Sequence, residues 1–190
     1  VQIKDCLIMP QGASALLALN SLKDGEYILI DVGGLTIDAI CVEVSSGSII
    51  PQQKNTWFNG VQKLYSNIIF EVNARYNLTL SPSYAEKILK SGLIVDGILQ
   101  DTGFVEKIKE EYLSEIIKEL KLNYPVRTTN VFVCGGGGIV LFDTIKNSFK
   151  NAELLRDSQF LNAIGYYKAG LKKFKKYIQV PQPLDWRSIK

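Results

Sequence analysis

Two apolar, β-rich runs meet at a pair of glycines in Leu29-Ile-Asp-Val-Gly-Gly-Leu-Thr-Ile-Asp-Ala-Ile-Cys-Val-Glu-Val44, with Asp31 before the turn and Asp38 after it. Strands joined by so short a connection can only run antiparallel, so this stretch commits the chain to a β-hairpin. A Gly-Gly turn has no Cβ atoms, so backbone N–H groups can close around an oxyanion and positive φ costs little there. A carboxylate beside such a turn would repel a bare phosphate, so Asp31 has a chemical use only if a divalent cation lies between them. Most single glycine turns only reverse the chain, and in that case Asp31 is an ordinary strand-end acid.

A second glycine cluster, Val131-Phe-Val-Cys-Gly-Gly-Gly-Gly-Ile-Val-Leu-Phe142, ends an apolar strand and opens a helix. In that arrangement a backbone can approach a flat or anionic ligand closely. Neither cluster carries the Gly-Lys-Ser/Thr of a P-loop, nor the Gly-x-Gly-x-x-Gly spacing of a dinucleotide fold. Two such turns suggest one nucleotide site. Four consecutive glycines cost more unfolded-chain entropy than a tight strand-to-helix turn requires, which favours ligand approach over a mere turn.

Along the chain the pattern predicts a strand at about Lys4 to Met9, a helix from Gly12 to Leu22, and strands at Tyr27 to Asp31, Thr36 to Val44 and Ser48 to Asn55. Helical spacing of apolar residues follows from Val61 to Val72, from the Ser81-Pro82-Ser83 start signal to Lys90, and from Gly103 to Leu122. An Asn130 to Cys134 strand and a Gly138 to Phe149 helix complete the order. Three antiparallel strands followed by helix and strand alternation form an α/β layout in which the Asn130 strand adds parallel to the first of the three through a helical crossover.

Composition bounds the function. At 190 residues and 46% hydrophobic the chain suits one domain with a substantial core, and a net charge of +3 is too small to argue for nucleic-acid contact. No apolar run approaches the roughly 18 residues of a membrane span, and Val1 to Pro10 lacks the pattern of a signal peptide. Cys6, Cys41 and Cys134 lie far apart in apolar, strand-like runs, which reads as reduced core cysteines of a cytoplasmic protein. The absence of histidine excludes Ser-His-Asp and Cys-His chemistry within the chain.

The order of four segments carries a resemblance. Ile8-Met-Pro-Gln-Gly-Ala-Ser-Ala-Leu-Leu17, the Asp31 hairpin, Gly135 to Gly138, and Ser158-Gln-Phe-Leu-Asn-Ala-Ile-Gly-Tyr-Tyr-Lys-Ala-Gly170 together resemble the second half of an actin-fold ATPase, most of all the plasmid-segregation ParM/StbA group. In family terms they are the first connecting helix, the second phosphate loop, the adenosine loop and the second connecting helix. The implied fold is a ribonuclease-H-like domain with a mixed five-stranded sheet, its first three strands antiparallel, flanked by helices. The first phosphate loop of the family is not found before Ile8, so the resemblance implies the C-terminal lobe at residues 1–170, a basic helix end and tail at 171–190, and an N-terminal lobe that this chain lacks.

The resemblance also implies roles. Gln11 stands where ParM proteins have a glutamate that orients the attacking water, and an amide there can align water without taking its proton; the alternative is a residue capping the following helix. Asp31 would hold Mg²⁺ through water, and Asp38 would lie near the attacking water. Gly33, Gly34, Leu35 and Thr36 would offer N–H groups, with the Thr36 hydroxyl, to the phosphates of ATP or ADP. Gly135, Gly136, Gly137 and Gly138 would pass beneath ribose and adenine with Ile139 in apolar contact, and Glu86 with Lys87 would approach the sugar and base.

The basic run Lys172, Lys173, Lys175 and Lys176 is a solvated helix end or a filament contact, with Phe174 and Tyr177 facing the other lobe or the core. The implied function is a Mg²⁺-dependent ATPase subunit that self-assembles longitudinally and moves plasmid DNA through a DNA-bound adaptor protein. It has no direct nucleic-acid or membrane contact, and the isolated lobe is expected to be inactive. A sugar kinase or another monomeric ATPase of the same superfamily is the competing reading.

Overall fold

The computed structural model describes residues 5–19 and 22–175. In chain order, α1 (Ala13–Ala18) precedes β1 (Gly25–Val32), β2 (Ile37–Ser45) and β3 (Ser48–Trp57). Then come α2 (Val61–Tyr76), α3 (Tyr84–Ser91), the small hairpin β4 (Leu93–Val95) and β5 (Ile98–Gln100), and α4 (Phe104–Asn123). The chain closes with β6 (Asn130–Cys134), α5 (Gly136–Ser148), β7 (Ala152–Leu154), a 3-10 turn Ser158–Phe160, and α6 (Leu161–Phe174).

The short connections after β1 and β2 force the antiparallel pairing β1–β2 and β2–β3. The long excursion through α2, α3 and α4 allows β6 to return parallel to β1, and α5 carries the chain to β7, parallel to β6. The sheet order is therefore β3-β2-β1-β6-β7, a mixed five-stranded sheet. β1 sits in its middle and is buried from Tyr27 to Val32, as its nearly unbroken apolar run requires.

Alternation along β1 and β2 divides the core in two. Ile28, Ile30, Val32, Ile37 and Ala39 pack with α2, α4 and α5 on one face. Tyr27, Leu29, Ile40 and Val42 pack with α1 and α6 on the other. Asp31 and Asp38 are directly opposed partners on neighbouring strands, so both project to the α1 and α6 side, and both are buried.

Four expectations are corrected. No strand forms over Asp5 to Met9: both neighbours of β1 are already supplied by β2 and β6, and Ile8 is left 90% exposed. Lys4, Lys176 and Tyr177 lie outside the described residues. The fifth strand is β7 instead, whose three residues are too few to show a period. The first helix is one and a half turns, ending where Leu19 is already extended. The helix after β6 starts at Gly136, so the glycine cluster is its first turn. Cys41 and Cys134 are buried thiols, but Cys6, without its strand, is exposed.

Candidate functional site

The hairpin is held by its carbonyl groups. Gly33 N–H closes the turn onto Thr36 O at 2.9 Å. The carbonyls of Leu35, Gly33 and Gly34 accept from the N–H groups of Gly60, Val61 and Gln62 at 2.9, 2.9 and 3.0 Å. A helix start leaves its first N–H groups without intrahelical partners, and α2 satisfies them on the hairpin. The hairpin N–H groups of Gly34, Leu35 and Thr36 take no partner among the described residues.

This seam needs a glycine at the start of α2. Gly60 has ordinary extended backbone, φ −77 and ψ 170, so the requirement is space. A Cβ there would lie 2.3 Å from the Gly34 backbone. The hydroxyl of Tyr112 on α4 is shared between the carbonyls of Asn59 and Gly60, the latter at 2.8 Å, and so pins the same segment from outside. Burial pushes the Tyr112 phenol up to about 12, which keeps it a neutral donor.

The second glycine turn opens α5 against the end of β1. Gly135 has φ 85, and a Cβ on it would meet Val32 O at 2.3 Å and Asp31 Oδ1 at 2.5 Å. Its N–H donates to Ser158 O at 3.0 Å, while the Ser158 hydroxyl donates back to Gly135 O at 2.9 Å. Gly138 N–H bonds back to Gly135 O, but the N–H groups of Gly136 and Gly137 are without partners among the described residues. They stand at the N-terminus of a 13-residue helix, where the dipole favours negative charge.

Between these turns lies a cleft of about 600 Å³, with Gly34, Tyr65, Glu86, Gly136, Gly137 and Ile139 among its walls. Lys90 and Lys109 also line it, each paired with a carboxylate, Lys90 to Glu86 at 2.7 Å and Lys109 to Glu106 at 2.8 Å. The bond to Glu86 raises the Lys90 pKa. Burial, reinforced by Glu86, raises that of Tyr65.

Asp31 stands at the end of β1, 3% exposed, inside a ring of donors. Gln11 Nε2 donates to its Oδ2 at 3.2 Å, and Asn162 Nδ2 donates to the same oxygen at 2.6 Å. Burial, and then the charge of Asp31, pushes the Cys134 thiol pKa up, so it stays protonated. Asp31 is thus a buried, internally bonded acid and not an ordinary solvated strand end. Gln11 does not cap α1 either: Gly12 is the N-cap residue and no side chain caps it.

The cleft brings together Gly34, Glu86, Gly136, Gly137 and Ile139 of the expected contacts. It does not include Lys87, which lies over the Tyr84 ring and lines a separate depression; Lys90, three residues on, lines the cleft instead. Asp38 is saturated: it accepts from Thr36 Oγ1 at 3.0 Å and Thr56 Oγ1 at 2.6 Å, and pairs with Lys54 at 3.3 Å. The Thr36 hydroxyl is therefore engaged inside the hairpin. Sequence reasoning missed Asn162, Tyr65 and Lys109. Tyr65 and Lys109 are anonymous within helical periodicity, and only the α6 motif could have drawn attention to Asn162.

Residues 29–147 match the family described as archaeal actin homologue MreB-like, C-terminal. The chain belongs to that family. No curated protein sequence matches it. Its fold is similar to that of Ta0583, an archaeal actin homologue, at TM-score 0.74 and 21% identity over 87% of this chain and 55% of that one. The ParM filament protein of Clostridium botulinum aligns at TM-score 0.68 and 23% identity, over 86% of this chain and 52% of that one. MreB5 of Spiroplasma citri, bound to ADP, aligns at TM-score 0.69 and 20% identity, over 92% and 62%. The chain thus spans between about half and three-fifths of the length of these proteins. Ta0583 has also been solved with ADP, and MreB5 with AMPPNP. The matched region of the family contains both glycine turns and most of the cleft.

Proposed function

We propose that this domain is the nucleotide-binding lobe of an actin-like, filament-forming ATPase. One observation carries the reading: two glycine turns border one cleft, Gly34 lining it on one side and Gly136 and Gly137 on the other, and the N–H groups of all three, like those of Leu35 and Thr36 that continue the hairpin, are without partners among the described residues. Such groups suit phosphate oxygens, and the cleft behind them has room and apolar surface for a nucleoside. Ile139 and Tyr65 offer that surface, and Glu86 offers an acceptor for sugar hydroxyls.

Among the described residues no cluster of three metal-ligating side chains occurs. Asp31 fits a Mg²⁺ ion only as a single, water-separated carboxylate, with phosphate and water supplying the remaining ligands. Bound there, the ion would neutralise charge on the phosphates. Gln11, hydrogen-bonded to Asp31, would orient the attacking water. Half the phosphate contacts would come from a second lobe, so the 190-residue chain alone binds ATP weakly and does not turn it over.

Self-assembly of this lobe with copies of itself is supported by family membership and by the ParM filament among its structural neighbours. Movement of plasmid DNA through an adaptor protein is the finer reading, supported by the likeness of Ile8 to Leu17 and Ser158 to Gly170 to the ParM group. The experiment is sedimentation of the full-length protein with ATP, with phosphate release measured in the same tube. ATP-dependent pelleting accompanied by phosphate release is expected. Phosphate transfer to a sugar without pelleting would replace this reading by the kinase one.

A further inference from the structure

Asn162, on the first turn of α6, joins three segments that are far apart in sequence. Its Oδ1 accepts from Gly12 N–H at 3.1 Å and from the Ser14 hydroxyl at 2.8 Å. Its Nδ2 donates to Asp31 Oδ2 at 2.6 Å. The orientation of the amide is dictated by chemistry. A backbone N–H can only donate, so the face toward Gly12 must be the oxygen, and the nitrogen must then meet Asp31.

The two contacts bear on the two residues assigned to the reaction. Gly12 follows Gln11, so anchoring the Gly12 N–H sets where the Gln11 side chain begins. Gln11 Nε2 and Asn162 Nδ2 converge on one oxygen of Asp31, which leaves Oδ1 as the oxygen toward Gly135 and the α5 turn. Removing the Asn162 amide would free the carboxylate to rotate about its last torsion, and Gln11, bonded to the same oxygen, would move with it. A charge-assisted bond of this length is among the stronger hydrogen bonds in a protein, and small shifts in a reacting geometry are costly.

We propose that Asn162 is a positioning residue, holding Asp31 and Gln11 in mutual register for nucleotide hydrolysis; this rests on the reading of the cleft as an ATP site. The side-chain bonds of Asn162 go to Gly12, Ser14 and Asp31, so it acts through Asp31. Partners of this kind, one bond removed from the groups that do the chemistry, typically change activity by about 10- to 100-fold when lost.

The test compares Asn162→Ala and Asn162→Asp with wild type in the full-length protein. Asn162→Ala deletes both contacts. Asn162→Asp keeps an acceptor for Gly12 and Ser14 but replaces the amide donor to Asp31 by a second carboxyl group, separating the clasp from the positioning. The kcat and KM for ATP hydrolysis, corrected for folded fraction, are measured alongside hydrogen exchange of the Gly12 amide. Both variants are expected to lose about 10- to 100-fold in kcat with KM within about threefold of wild type. Gly12 exchange should accelerate in Asn162→Ala alone. Wild-type kcat per folded molecule in Asn162→Asp, or in Asn162→Ala should the aspartate variant not fold, would reduce Asn162 to a structural clasp and overturn the proposal. No hydrolysis by the wild type would instead overturn the ATPase reading itself.

Discussion

Gly60→Ala tests whether the hairpin is presented by its seam with α2. The substitution adds one methyl group 2.3 Å from the carbonyl carbon and oxygen of Gly34. Neither side can yield alone, because both are backbone. The seam must open, straining the three bonds from Gly60, Val61 and Gln62 to the hairpin carbonyls. At about 0.5 to 1.5 kcal/mol net per hydrogen bond, their loss costs roughly 1.5 to 4.5 kcal/mol. The reduced freedom of the unfolded chain offsets about 0.4 to 1 kcal/mol, since the Gly60 backbone suits alanine. A net loss of about 0.5 to 4 kcal/mol lowers Tm by about 2 to 4 °C for each kcal/mol in a domain of this size. Gly170→Ala is the control: a Cβ there meets nothing within 4 Å, and the helix gains roughly 0.5 to 1 kcal/mol. Thermal unfolding followed by circular dichroism gives the stabilities, and calorimetry in the full-length protein gives ADP affinity. Gly60→Ala should lower both, and Gly170→Ala should raise Tm and leave affinity alone. Wild-type Tm and ADP affinity in Gly60→Ala would refute the seam.

Asp31→Asn keeps the volume of the side chain and an acceptor oxygen for Gln11 and Asn162 but removes the charge. ATP hydrolysis in the full-length protein should fall at least about 100-fold with the fold intact by circular dichroism, and unchanged turnover would remove Asp31 from the chemistry. Burial, and secondarily Cys41, pushes the Tyr124 phenol up to about 12 in the folded chain. Its stabilisation is therefore complete below the unfolded tyrosine value of about 10 and lost as pH rises from about 10 through 12. Tm should fall across that window, with a shallower slope in Tyr124→Phe; equal slopes would contradict the assignment. The 190-residue chain alone should show no submicromolar ATP affinity by calorimetry, because hydrogen bonds to phosphate from a second lobe, worth about 1.5 to 3 kcal/mol each, are missing.

What could be read from the sequence is what local rules dictate. Continuous apolar runs broken by Gly33 and Ser45 to Ser48 give the meander its strands and its direction, and the 3.6-residue period marks α2 and α4. The glycine clusters marked the two turns that border the cleft because a requirement for space or for positive φ is written in residue type. The Cys6 to Met9 run misled because strand propensity carries no information on whether the sheet has a place left. β7 escaped notice because three residues show no alternation. Lys87 and Lys90 differ by less than one helical turn, and only the pitch of α3 against α2 decides which enters the cleft. Asn162 and the saturation of Asp38 by Thr36, Thr56 and Lys54 depend on contacts across many residues, which no periodicity records.

The central claim is that unpartnered N–H groups of two glycine turns receive a nucleotide. Amide chemical-shift mapping of the 190-residue chain during titration with Mg²⁺ and millimolar ADP tests it most directly, since weak binding suffices. The largest shifts should fall on Gly34, Leu35, Thr36, Gly136 and Gly137, with Ile139 and Tyr65 moving alongside them. A saturable response confined to other surfaces, or no response at those five amides at saturating ADP, would contradict the account.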